Sequence, residues 1–585
     1  MRRPAPDAPA GGRPHATGRP GGGRLARLGL PSRHDLPRDV LAGFTVGAAQ
    51  IGNSMAYTML SGIPPVHGLY AVMVGAPSGA LTSSSERMSI VPTAALSLAA
   101  GSALALLPPE QRVAGMFMLA ALTGALMLLA GLLHAGGLVR FISNAVMVGF
   151  MAGISVTILC GQLAGLTGFS SQYENKVAKA VDTLLHVGDL DPATTAIGIA
   201  TVVMVVVLRR TRAKLLAMAI AMVVLTLMVA LFDLSSVAVV GDIAPIPRHL
   251  PLPRLPDLGL APSLLLPAIS LTIIGLVQGA GISRTVPNPD GKLGDASRDF
   301  VGQGVANLFS GFFTGGIVGG SIQATALDIS AGARTRWSSV FAGAFVVAVI
   351  LVAAPLVQLV PLAVTAGILI VAASSALRPR AMLDVWRADR TSAAVMLATF
   401  ALVLVVPLQY AVLAGAAIAV LKHIYLSSLD VRVMRIVTDE DGRLRESAAP
   451  AELLSDAVTV LDIYGSLFFA ATPKIRASLP AVTGAHCPVV VLRLRGRGVL
   501  HSAMIALVRD YAAECIAGGG RLYLAGVGDE MLEQLRRTGL LDLLGPDAVV
   551  AATDEPYGAC ATAQRRGEWW LADRPGGRAQ GPRIV

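Results

Sequence analysis

Ser89-Ile90-Val91-Pro92-Thr93-Ala94-Ala95-Leu96 and Gly315-Gly316-Ile317-Val318-Gly319-Gly320-Ser321-Ile322-Gln323-Ala324-Thr325 are apolar stretches broken by proline and glycine where a membrane span would run uninterrupted. Irregular backbone at membrane depth persists only where protein buries it or where it lines a water-filled cavity. A half-helix that follows such a break turns its free N–H groups and the positive end of its dipole toward that cavity. One break in each half of a polytopic chain is the sequence pattern of a transporter's binding site. Together the two stretches imply a site for an anion.

The composition around them is that of a membrane protein. Of 585 residues, 54% are hydrophobic and 14% charged, with a mean hydropathy of +0.65; soluble domains carry about 25% charged residues. Residues 1–33 are rich in Arg, Gly and Pro, with no apolar core, and are expected as a disordered cytoplasmic tail without a cleavable signal. The net charge is +10, and outside the N-terminal tail basic groups gather beside apolar segments: Arg209, Arg210, Arg212 and Lys214; Arg334 and Arg336; Arg378, Arg380, Arg387 and Arg390. Loops such as 61–68 lack acidic residues, Lys and Arg. That asymmetry follows the positive-inside rule and puts the N-terminus in the cytoplasm, so the partner it implies is a lipid bilayer and not nucleic acid. The cysteines (Cys160, Cys487, Cys515, Cys560) have neither metal-ligand nor disulfide spacing and are expected to pack. No Walker loop, zinc motif or Ser-His-Asp arrangement occurs, and Gly518-Gly519-Gly520 is too short to cradle a phosphate. The expectation is a non-enzyme with no cofactor and no metal.

From residue 34 to 428 about fourteen apolar segments succeed one another. Those near 113–134, 139–165, 193–209, 214–232, 265–285, 338–360 and 391–409 approach the roughly 20 residues of a full span. Those near 92–107, 300–314, 321–331, 362–376 and 411–426 are shorter, and 41–57 and 68–82 complete the first half. An even count returns the C-terminus to the cytoplasm. Charged residues 429–453, Glu440 among them, are expected as a linker or first strand. Over 454–560 the runs Val458–Ile463, Pro488–Leu494 and Arg521–Gly526 alternate with helical patterns, which predicts a small α/β domain. The segment 561–585 is expected as a mobile tail.

Gly43-Phe44-Thr45-Val46-Gly47, Met55-Ala56-Tyr57, Gly62-Ile63-Pro64-Pro65 and Gly68-Leu69-Tyr70 resemble the opening spans of the sulfate permease (SulP) anion transporters. So do Gly302-Gln303-Gly304-Val305-Ala306-Asn307, Ser310-Gly311-Phe312-Phe313 and Ala331-Gly332-Ala333-Arg334-Thr335. Gly465-Ser466-Leu467-Phe468-Phe469-Ala470 resembles the STAS domain that follows the transporter in that family. The resemblance implies two inverted seven-helix repeats arranged as core and gate domains, and a homodimer. It also implies an anion held between the N-termini of the third and tenth helices, here near Pro92–Thr93 and Ser321–Ile322. Four departures stand out, the first being Val91 where the family has a glycine before the third-helix proline. The eighth-helix carboxylate of the family is Gln278, the tenth helix opens Ser321-Ile322-Gln323-Ala324 without an arginine, and the Pro-Gln pair of the first helix is Gly52-Asn53.

The anion pocket so implied is nearly uncharged: Asn53, Tyr57, Pro92, Thr93, Gln278, Ser321, Ile322 and Gln323. Asn53 and Gln278 equally suit interhelical hydrogen bonds, and Tyr57 and Phe44 equally suit helix packing. Asp328 stands where the family has an amide; an ion pair with Arg334 or Arg336 competes with a role as the displaced coupling carboxylate. Ser502 in His501-Ser502-Ala503 occupies a position phosphorylated in the STAS pattern, and a plain N-cap is the competing role. The expected function is secondary transport of small inorganic oxyanions, sulfate first, across the plasma (inner) membrane, with proton or sodium coupling and a cytoplasmic STAS partner. The alternatives are a bicarbonate, chloride or dicarboxylate exchanger or uniporter of the same fold, and a transport-inactive sensor signalling through its STAS domain.

Overall fold

Apolar segments that must satisfy their backbone without water fold as helices, and the larger part of this chain is made of them. The computed structural model describes residues 31–573 apart from 138–142, 174, 440 and 442. Helices α1 (Leu36–Leu60) and α2 (Val66–Thr82) lead into a two-residue strand, β1 (Ile90–Val91), and the short helix α3 (Ala94–Leu104). There follow α4 (Arg112–Leu132), α5 (Asn144–Thr167), α6 (Lys176–Leu185), α7 (Pro192–Leu208), α8 (Ala217–Leu231) and the single turn α9 (Val240–Ile243). The opening order then recurs as α10 (Ala261–Ser283), α11 (Ala296–Phe312), strand β2 (Gly319–Gly320) and the short α12 (Ile322–Ser330). Helices α13 (Trp337–Gln358), α14 (Leu362–Ala376), α15 (Pro379–Ala388), α16 (Arg390–Val405) and α17 (Leu408–Leu429) complete the series. Among the described residues, five helical stretches are long and apolar enough to cross a membrane: Pro109–Leu132, Asn144–Thr167, Leu258–Ser283, Trp337–Gln358 and Leu362–Ala388.

Local signals set the boundaries. Ser143 caps α5 by accepting from the Val146 N–H, and Gly168 ends it in the left-handed conformation at φ 74°. Asp191 caps α7, whose first residue is Pro192, where a missing N–H costs nothing. Helices α6 and α15 are amphipathic and absent from the apolar segments read from sequence, which weighs mean hydropathy and passes over short two-faced helices. In α15 the exposed Leu383 and Trp386 share one turn with Arg387.

Helices α4 and α11 cross with their backbones in close approach. A Cβ on Gly304 would stand 2.6 Å from the Leu128 nitrogen and 2.8 Å from the Gly124 carbonyl oxygen, so backbone meets backbone with no space for a side chain.

The chain divides into two units, Met1–Ala419 and Val420–Val585. In the second, a six-stranded sheet has the order β4-β3-β5-β6-β7-β8. Its strands are β3 (Arg432–Thr438), β4 (Leu444–Ala448), β5 (Val458–Tyr464), β6 (Val489–Arg493), β7 (Arg521–Val527) and β8 (Val549–Ala551). Strands β5 to β8 run parallel, joined by α18 (Thr472–Ser478), α19 (Ser502–Ala517), and α20 (Asp529–Arg537) with α21 (Leu540–Leu544). Strands β6 and β7 are almost wholly buried, as their unbroken Val and Leu runs require of a central parallel pair.

Two boundaries differ from the sequence expectation. Of the linker or first strand expected over 429–453, the structure has strands: β3 and β4 form a hairpin, and β3 pairs antiparallel with β5 from Arg432↔Tyr464 to Ile436↔Val460. Their exposed, charged faces hide the strand pattern, because an edge hairpin buries little. The tail expected from 561 begins as helix α22 (Gly558–Ala572), which buries Ala559, Cys560 and Ala563 in the sheet's core. Small residues carry that apolar face, so a hydrophobic scan misses it. The rest of that tail, 1–30 of the N-terminal one, and Glu440 lie outside the described residues.

Gly304→Val is expected to force α4 and α11 apart and to destabilise the protein by more than the ~1–3 kcal/mol of ordinary overpacking. Gly281→Ala in α10, where an added Cβ meets nothing within 4 Å, is expected to leave stability unchanged or raise it. Thermal unfolding of the two purified variants in one detergent checks the contrast.

Candidate functional site

The two breaks meet. Strands β1 and β2 pair antiparallel, Ile90 with Gly320 and Val91 with Gly319, and Ser321 N–H extends the ladder to the Ser89 carbonyl at 2.9 Å. Glycine is required in β2: a Cβ on Gly319 would lie 2.5 Å from Leu96 Cδ1, and one on Gly320 3.1 Å from the Gly279 Cα. Short helices α3 and α12 leave opposite ends of this pair, so their N-termini face the same region from two sides.

A two-residue strand has two edges, and the second is satisfied by side chains of α11. Gly320 N–H donates to Gln303 Oε1 at 3.0 Å. Val318 N–H donates to Asn307 Oδ1 at 2.9 Å, and Asn307 Nδ2 donates back to the Val318 carbonyl at 2.7 Å. Ser310 Oγ donates to the Gly316 carbonyl. One step earlier on the same face, the fully buried Asp299 accepts from the N–H and hydroxyl groups of Ser84 and Ser85 and from Ser283 Oγ, which fixes the turn that enters β1. Sequence reasoning placed none of these in the site. The signal was available as a polar row at spacing four, Asp299-Gln303-Asn307, which lines one helix face.

At the α3 end, Thr93 caps the helix by accepting from the Leu96 N–H and donates its own hydroxyl to Gln278 Oε1 at 3.2 Å. Pro92 stands beside it in the turn out of β1 and supplies no donor. Gln278 also lines, with Val146, Phe150, Ile274, Val277 and Thr399, a cavity of about 30 Å³, room for a single water. At the α12 end, Ser321 caps the helix through the Ala324 N–H. Gln323 accepts from the Tyr57 hydroxyl at 3.3 Å and donates to the Ala372 carbonyl at 3.4 Å. Ile322, the first residue of α12, is 44% exposed. Asn53 lies one turn before Tyr57 on the buried face of α1, and its Oδ1 has no partner. The eight sequence-predicted residues thus fall into two groups, Thr93 with Gln278 and Tyr57 with Gln323, around one strand pair. Phe44 does not belong: it is exposed and packs on Phe345.

Asp328 is where the structure departs from the sequence expectation of an ion pair. It is fully buried; Oδ2 accepts from Ser338 Oγ at 2.7 Å and Oδ1 has no partner. Arg336 instead pairs with Glu86 at 3.5 Å and donates to the carbonyls of Ala80 and Ser83. The Arg334 and Thr335 backbone N–H groups donate to Asp39, which anchors that turn to α1. The turn's hydrogen bonds and not charge pairing govern this end of α12. Ser502 is the first residue of α19; the N-cap is His501, which makes no side-chain cap, so the expected capping role falls away while Ser502 stays exposed.

Comparisons with known proteins agree with this architecture. The family model described as "Sulfate permease family" matches residues 36–399, and that of the STAS domain matches 451–553. The putative sulfate transporter YvdB of Bacillus subtilis (strain 168) is 26% identical over 526 residues, covering 89% of this chain and 97% of that protein. The bicarbonate transporter BicA of Picosynechococcus sp. is 23% identical, covering 88% and 93%. Among solved structures, the murine Solute Carrier 26 family member A9 anion transporter superposes with a TM-score of 0.80 at 19% identity, over 93% of this chain and 94% of that one. The sulfate permease model alone spans more than half of the chain: the chain belongs to the sulfate permease family of anion transporters and carries a C-terminal STAS domain.

Proposed function

We propose that the chain moves small inorganic oxyanions, sulfate first among them, by secondary transport across the plasma (inner) membrane, with both termini cytoplasmic and the protein a homodimer. The observation that carries this reading is the facing pair of half-helix N-termini, each capped by a hydroxyl and flanked by a side-chain amide. An oxyanion leaving water needs donors, and a hydrogen bond to a charged group is worth about 1.5–3 kcal/mol each. Free N–H groups at two helix starts, with the amides of Gln278, Gln323 and Asn53 and the hydroxyls of Thr93, Ser321 and Tyr57, replace that hydration shell. Alternating access would move a core domain carrying this strand pair, with α3, α12 and the α11 that braces them, against a gate domain. Named relatives support sulfate as the first substrate to test.

A second reading rests on the neutrality of the donor set. With Gln278 where a carboxylate would titrate, exchange or uniport of bicarbonate, chloride or a dicarboxylate needs no proton, and the likeness to a bicarbonate transporter supports it. Asp328 is the coupling candidate, for a proton or sodium, because its Oδ1 is the one carboxylate oxygen among the described residues that is buried without a partner. Ser502, exposed at a helix start, is the regulatory candidate: a phosphate there adds about −1.5 to −2 charges and would alter docking of a cytoplasmic STAS partner.

Labelled sulfate uptake into liposomes, with bicarbonate, chloride and fumarate as competitors, tests the reading. Saturable uptake accelerated by an inside-alkaline gradient supports symport; uptake indifferent to the gradient supports exchange; folded protein with no flux of any anion leaves the sensor. If Asp328 carries the coupling proton, Asp328→Asn retains uptake and loses its gradient dependence. Gln278→Glu is expected to raise the half-saturating sulfate concentration about tenfold or more at neutral pH, through repulsion between like charges. The loss should recover as pH falls and the new carboxylate protonates, which uptake measured across pH checks.

A further inference from the structure

Strands β5 and β6 are parallel and in register from Val458↔Val489, so residues two positions upstream of each are neighbours. Those residues are Asp456 and Cys487. The ladder continues past the strand ends into both loops: Val489 N–H donates to the Ala457 carbonyl at 3.2 Å, Asp456 N–H to the His486 carbonyl at 2.9 Å, and His486 N–H to Ser455 Oγ at 2.9 Å. Cys487 N–H donates to the Gly518 carbonyl at 3.0 Å. Both Asp456 and Cys487 hold left-handed backbone, at φ 53° and 48°, unusual for residues other than glycine and fixed here by those bonds.

The side chains converge. His486 Nδ1 lies 3.4 Å from Asp456 Oδ1, and its Nε2 lies 3.9 Å from Cys487 Sγ; one donor atom from each residue lies within 4.8 Å of the other two. A tetrahedral zinc with Zn–S of about 2.3 Å and Zn–N of about 2.0 Å sets its sulfur and nitrogen ligands about 3.6 Å apart. The thiol is anchored, since Cys487 is buried, whereas the His486 and Asp456 side chains are 79% and 52% exposed and swing to complete the geometry.

We propose that Asp456, His486 and Cys487 form a zinc-type transition-metal site on the STAS domain, with water in the fourth position. Thiolate, imidazole and carboxylate together select borderline-soft Zn²⁺ or Co²⁺ over Mg²⁺ and Ca²⁺, which take oxygen donors. The domain's other cysteines do not compete: burial pushes the thiols of Cys515 and Cys560 up to about 12 and about 11, away from thiolate. A metal at this place ties together the loops that enter two adjacent central strands. Sequence spacing hides the site, because thirty residues separate Asp456 from His486 and only the strand register joins them. The site is independent of the transport reading.

The test is titration of the full-length protein in detergent, stripped with chelator, first with Co²⁺ and then with Zn²⁺. One equivalent of Co²⁺ is expected to give a thiolate-to-cobalt charge-transfer band and a tetrahedral ligand-field band, both erased by Zn²⁺. Cys487→Ser should remove the charge-transfer band, and His486→Ala and Asp456→Ala should each weaken Co²⁺ binding by about tenfold or more. His486→Ala, at a position 79% exposed, keeps the test valid should Cys487→Ser unfold. A wild-type protein with no thiolate band at stoichiometric Co²⁺, a band that survives Cys487→Ser, or affinity unchanged in His486→Ala overturns the proposal.

Discussion

Everything in the helical unit depends on how the chain satisfies peptide groups in a place without water. Each unpaired N–H or C=O in the bilayer costs several kcal/mol, so two broken spans are tolerable only if their exposed backbone finds partners in the protein. Strands β1 and β2 provide one set to each other, and the row Asp299, Gln303 and Asn307 of α11 provides the other. All three side chains are fully buried. At the start of each half-helix Thr93 and Ser321 each cap one N–H, and in the function proposed above the N–H groups beside them are the donors an anion uses. Structure and function here divide one inventory of hydrogen-bonding groups between them.

The neutrality of the site follows from the same economy of charge. A cation in the pocket would hold an anion firmly, and a carrier must also release it. Helix starts contribute about 0.3–1 kcal/mol each at exposed positions and up to ~2 kcal/mol when partly buried, and amides add bonds that weaken smoothly as water returns. The Thr93–Gln278 and Tyr57–Gln323 contacts, at 3.2 and 3.3 Å, occupy some of these donors and acceptors with one another. Interhelical bonds of this type average about 0.6 kcal/mol, little enough for an arriving anion to exchange.

Much of this was legible in the sequence, and the limits have physical causes. The breaks at Pro92 and Gly319–Gly320 announced themselves because glycine and proline are costly inside a span, and they led directly to Thr93, Ser321 and Gln323, whereas Gln278 came from the family resemblance. Gln303 and Asn307 lay in plain view within a family motif, but what they bind is backbone far along the chain, and no side-chain pattern reports that. The environment of Asp328 went astray for a related reason. Nearby arginines suggest an ion pair, whereas the turn carrying Arg334 is tied down by Asp39, 295 residues earlier, and Arg336 turns to Glu86. In the second unit, strands with Val and Leu runs were clear, while the charged β4 and the alanine-faced α22 buried too little to register. Edges and small-residue faces are where hydropathy carries least information.

Asn307 deserves a last comparison with the groups it touches. A residue on a strand edge offers its own N–H and C=O as one donor and one acceptor, spaced to meet the acceptor and donor of its neighbour. Asn307 offers the same pair, Nδ2 and Oδ1, to the carbonyl and N–H of Val318, and so impersonates a third strand using a single side chain. Only a primary amide can play that part: a carboxylate lacks the donor, a hydroxyl lacks the reach, and glutamine carries an extra methylene. A helix can therefore stand in as sheet edge for a crossing chain without itself unwinding, which keeps the supporting scaffold regular while the chain beside it is not. Anyone building a discontinuous span from scratch could borrow that counterfeit strand, one asparagine for one strand residue.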